Sequence, residues 1–77
     1  MSTFLSTRGA TALVERHINV YGPTGEDALV GMLERYGVEP LKAERAIDFA
    51  CVRGRLIRST GETGPILRKP RPLDLAA

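Results

Sequence analysis

The chain has 77 residues, of which 43% are hydrophobic and 26% charged, an ordinary globular balance, so one domain is expected, its core near the lower limit for unaided stability. No apolar run approaches the roughly 20 residues of a membrane span, and no basic start leads into an apolar signal core. Cys51 is the single cysteine, which excludes an internal disulfide and suits a reducing cytosol, so a cytoplasmic protein without a membrane partner is expected.

The net charge of +2 is unevenly spread. Residues 53 to 71 hold six basic residues (Arg53, Arg55, Arg58, Arg68, Lys69, Arg71) and one acid, Glu62. That segment therefore carries +5, and the remainder −3. Such asymmetry points to an anionic partner, although cations on an exposed sheet edge also guard against aggregation.

In chain order, residues 1 to 6 are expected to fray. Thr7 to about Val20 predicts a first helix, because Ala10, Leu13, Val14, His17, Ile18 and Tyr21 recur at helical spacing. The β-branched end, His17 to Tyr21, would also suit a short strand. Gly22-Pro23-Thr24-Gly25 reads as a break. Thr24 and Asp27 then resemble a capping box, with Asp in place of Glu or Gln, and Glu26 adds to the negative charge that a first turn favours. A second helix to about Tyr36 would bury Leu29, Met32, Leu33 and Tyr36, with Gly37 as its stop. Gly31 inside it costs about 1 kcal/mol relative to Ala unless a neighbour comes close. Val38 is expected to be buried, and the proline at position 40 holds Glu39 extended.

Pro40 suits the first position of a third helix. Ala43, Ile47, Ala50 and Gly54 fall on one line, with Ala46 and Cys51 beside it, a small-residue face for close packing. Lys42, Glu44, Arg45 and Asp48 take the outer face, and Gly54 ends the helix. Two strands, Arg55–Ser59 and Pro65–Lys69, flank a hairpin loop from Thr60 to Gly64. Phe49 and Val52 lie off the main line of the third helix. They either pack beneath the hairpin or form an exposed patch. The tail from Pro70 to Ala77 has no period and is expected to be disordered or extended.

One His and one Cys make a four-ligand zinc site improbable, and both fall on packing faces, which disfavours a Cys-His nucleophile. Neither glycine loop continues into the Lys-Ser/Thr of a phosphate-binding loop. No enzyme, metal or cofactor is expected.

The expected fold class is mainly α with a small β-hairpin, an α+β domain. From roughly Thr7 to Lys69 the order of elements resembles the winged helix-turn-helix superfamily. Its most suggestive part is AIDFACVRGRLIRSTGETGPILRKP, a helix running through a Gly into a basic strand, a Gly-containing loop and a basic return strand. The resemblance implies three helices and a wing, with the third helix in the major groove of double-stranded DNA and the wing on a flanking groove or the backbone. It implies DNA contacts by Lys42 and Arg45 beside Glu44, and by Arg53, Arg55, Arg58, Arg68, Lys69 and Arg71, with a wing tip at Gly61 to Gly64. Base edges are commonly read by Arg, Lys, Asn, Gln, Ser and Thr, and this outer face offers only Lys42 and Arg45 of these, so contacts dominated by the backbone are expected. The function implied is a small transcriptional regulator or accessory factor, of the sort a phage or mobile element encodes. The alternative is a winged-helix interaction or assembly module that meets a second copy or another protein through Phe49 and Val52.

Overall fold

The computed structural model describes residues 6 to 71. The expectations for residues 1 to 5 and 72 to 77 fall outside them. Ser6 is no frayed end: its hydroxyl accepts from Gly9 N–H at 3.1 Å and caps the first helix. The elements are α1 (Thr7–Tyr21), β1 (Thr24–Gly25), α2 (Glu26–Arg35), α3 (Pro40–Val52), β2 (Ile57–Gly61) and β3 (Gly64–Arg68). Three helices and a three-stranded antiparallel sheet make an α+β fold, compatible with a winged-helix-like arrangement.

The sheet order is β1-β3-β2, so the last strand is central. Thr24 pairs with Leu67 and Gly25 with Ile66, while β2 runs from Ile57 opposite Arg68 to Gly61 opposite Gly64. Three expectations change here. The break at residues 22 to 25 contains a strand, the sheet has three strands, and the hairpin closes through Glu62-Thr63 alone. Thr24 does not cap α2, because its backbone is committed to β3 and its hydroxyl donates to Gly22 O at 2.9 Å. Gly25 is the N-cap, with no side-chain bond, and the first-turn acids Glu26 and Asp27 remain to offset the dipole.

α1 stays helical through Tyr21, which settles the helix-or-strand choice, and Gly22 N–H closes it on Ile18 O at 2.8 Å. Ala10, Val14 and Ile18 are buried; Tyr21, at the end of the same stripe, is 74% exposed, its ring beside that of His17. Tyr36 is likewise a correction: it is the C-cap of α2 and 56% exposed, so Leu29 and Leu33 alone carry the fully buried face.

Both turns around α3 close the same way. Gly37, at φ +85°, donates to Glu34 O, and Val38 N–H reaches Leu33 O, burying Val38 as expected. Gly54, at φ +74°, donates to Cys51 O, and Arg55 N–H reaches Ala50 O. Each is the paired closure of a Schellman motif, which requires a left-handed residue that glycine adopts without steric cost. They fix the direction in which α3 enters and leaves.

The core joins Ala10, Val14 and Ile18 of α1 to Leu29 and Leu33 of α2, Ala43, Ala46, Ile47 and Ala50 of α3, and Leu56 and Leu67 of the hairpin. The alanines let α1 and α3 approach closely. The buried Thr11 hydroxyl donates to Thr7 O at 2.8 Å and lies 3.2 Å from Ala46 O across the interface.

Candidate nucleic-acid interface

α3 is buried along one side only. Leu41, Glu44, Arg45, Asp48, Phe49, Val52 and Arg53 are exposed, and Lys42 is half-buried. Helical spacing divides this surface into two edges. Lys42, Arg45, Phe49 and Arg53 run along one edge, and Phe49 and Arg53 line a cleft there with Arg8 and Glu15 of α1. Glu44 and Asp48 form the other edge, beside the hairpin. Leu41 and Val52 lie between them.

The acidic edge is not left bare. Arg58 of β2 donates from Nε to Glu26 Oε1 at 2.8 Å and from Nη2 to Asp48 Oδ1 at 2.5 Å. Its guanidinium therefore ties the hairpin to the start of α2 and the middle of α3. The Asp48 hydrogen bond, helped by the Glu26 charge, holds Arg58 above its already high ordinary value. Its reach inward comes from register: Arg58 stands opposite the buried Leu67, so its side chain leaves the sheet on the helix-facing side.

The other expected site residues separate into groups. Arg55 pairs with Glu15 Oε1 at 3.3 Å and shares the α1 cleft with Arg53, whose guanidinium carbon is 5.3 Å from the Phe49 ring centroid. Arg68, Lys69 and Arg71 gather near Ile18 and Pro23, at the base of the hairpin. The register puts that base at the far end from the Glu62-Thr63 turn. The expected wing tip, Gly61 to Gly64, thus carries an acid and no cation.

Phe49 and Val52 do not pack beneath the hairpin. They are 40% and 85% exposed. Three partners escaped sequence reasoning, Arg8 beside Arg53 and Arg55, Glu15 paired with Arg55, and Glu26 bonded to Arg58. Each arrives from a distant segment, so no local pattern signalled it. Cys51 is half-buried, and burial pushes its thiol upward, partly offset by Arg58. Among the described residues, no group of three or more His, Cys, Asp or Glu could hold a metal ion, and no helix is long and apolar enough to cross a membrane.

Comparison with known proteins found no matching family model and no significant match to a curated protein or a solved structure.

Proposed function

We propose that this chain is a winged helix-turn-helix domain that binds duplex DNA mainly through its phosphates. The observation that carries this reading is the exposed face of α3, which has cations at both ends and whose acidic edge has Asp48 paired to Arg58. From Lys42 to Arg53 the helix rises about 16 Å, and from Arg45 to Arg53 about 12 Å. A major groove is about 12 Å wide, so these pairs can meet phosphates on its two borders while α3 lies between them. The Arg58–Asp48 bond supports the same reading, because it links β2 of the hairpin to α3. Arg55 extends the contacts past the helix end, and Arg68, Lys69 and Arg71 supply a second cationic area at the hairpin base. Arg58 acts indirectly, as the counter-charge to Asp48 and Glu26. Few side chains on α3 suit base edges, so sequence discrimination is weak and the role is that of a regulator or accessory factor working near other proteins.

Fluorescence anisotropy with a random duplex tests this. Four or five phosphate contacts give a log–log salt slope near about −4. The double substitution Lys42→Glu, Arg45→Glu should lower affinity by at least about tenfold through repulsion at the groove border. No binding at low salt would end the proposal.

A second reading, a protein-interaction module, is favoured by one observation. Leu41, Phe49 and Val52 are 58%, 40% and 85% exposed on the same helix face. Such apolar side chains suit a second copy or a partner helix. Light scattering that shows a dimer in the wild type and a monomer in Val52→Asp would favour it over DNA.

A further inference from the structure

The cleft between α1 and the end of α3 has a composition that duplex binding does not require. Its volume is about 260 Å³. Three guanidinium groups border it, Arg8 from α1, Arg53 from the α3 C-cap and Arg55 from the turn after it, against one carboxylate, Glu15. The cleft therefore carries a surplus of two positive charges. Arg55 already pairs with Glu15 at 3.3 Å, which leaves Arg8 and Arg53 without a carboxylate in the cleft. Ala12 and Phe49 also line it, and Phe49 is 40% exposed.

We infer that this cleft binds a nucleotide, its phosphate held by Arg8 and Arg53 while Arg55 stays on Glu15, and its base stacked on Phe49. Guanidinium groups fit phosphate oxygens in a bidentate way, and several converging on one point neutralise a phosphate better than scattered lysines. A phenyl ring with an open face takes any base, because stacking does not depend on base identity. The volume lies just below the roughly 300–1,000 Å³ of pockets for drug-sized ligands, which suits a mononucleotide that stays partly open to solvent. Arg53 lies against the Phe49 ring in the free protein, so a base that enters displaces it from the ring toward the phosphate. The nucleotide comes either free or as an unpaired unit at the end of a nucleic acid, and the recognising chemistry is the same.

The test is a titration of isotope-labelled protein followed through the Phe49 ring and arginine Nε–H resonances. The probes are inorganic phosphate, adenosine monophosphate and a 5′-phosphorylated oligothymidylate of four units. Adenosine monophosphate should bind about tenfold tighter than phosphate, with upfield shifts at the Phe49 ring. Phe49→Ala should erase that difference, and Arg8→Gln should weaken both ligands. Both positions are exposed, so both variants should keep the native fold. A free nucleotide that binds as well as the oligonucleotide identifies a soluble ligand. Binding by the oligonucleotide alone identifies a chain end. Neither adenosine monophosphate nor the oligonucleotide binding tighter than phosphate, with Phe49→Ala silent, overturns the inference. So does a response only to a phosphate-free acidic peptide. Because random-duplex affinity is measured separately, either result stands whether or not the duplex reading survives.

Discussion

At Arg58, a residue expected on the DNA-facing wing, the cation is committed inside the molecule. The Arg58→Ala variant loses two partly exposed ion pairs, each worth about 0.2–1 kcal/mol, so urea unfolding should show a loss of about 1 kcal/mol. Duplex affinity should fall as well, because Asp48 and Glu26 are then uncovered beside phosphates. The double variant Arg58→Ala, Asp48→Ala should recover most of that affinity, whereas strictly additive effects would show that Arg58 touches DNA itself. The raised value of Arg58 contributes stability that is complete below its ordinary value and is lost only as pH climbs through the still higher folded value. Any change in stability near neutral pH therefore comes from other groups. Cys51 behaves differently. Burial lifts its thiol above the ordinary 9.0, so the associated stability is complete below that pH and is lost as pH rises through the folded value. At pH 8 a disulfide reagent should modify native Cys51 more slowly than the urea-unfolded chain.

Among the elements, α2 and α3 show which local signals survive folding. Gly31 lies mid-helix in α2, with nothing within 4 Å of where a Cβ would stand. Gly31→Ala should therefore stabilise the protein by about 1 kcal/mol, seen as a higher urea midpoint. Gly54→Ala has the opposite sign. Its φ of +74° is left-handed, and the substitution should cost about 1–2 kcal/mol. Helices were legible because a buried stripe repeats every three to four residues, as Leu29 with Leu33 and Ala43 with Ile47 do. The stops at Gly37 and Gly54 were legible because a left-handed closing residue favours glycine over all others. β1 was not, since two residues held by main-chain bonds leave no side-chain period. The ends of stripes also misled. Tyr21 and Tyr36 continue the spacing of their helices, yet both stay exposed where they line one open groove.

At the scale of the whole molecule, charge composition identified a basic segment but not where its charges go. Six cations between residues 53 and 71 form three separate groups, at the α1 cleft, at the clamp on α2 and α3, and at the hairpin base. Their separation depends on strand register and on contacts from Arg8, Glu15 and Glu26, none of which lies near them in sequence. The +5 segment is thus a property of the chain, and the surface it creates is a property of the fold.

The central position of β3 reaches further, into the order of folding. Leu67 is fully buried and pairs through β3 with Thr24, far back in the chain, so the core between α1, α2 and α3 is closed by almost the last part of the domain to be made. Contacts this distant carry a large loop-closure cost and form late. A nascent chain that has delivered all three helices, β1 and β2 still lacks Leu67 and the central strand with which both edges pair. Such a chain should be cut by a protease faster than one that also carries β3.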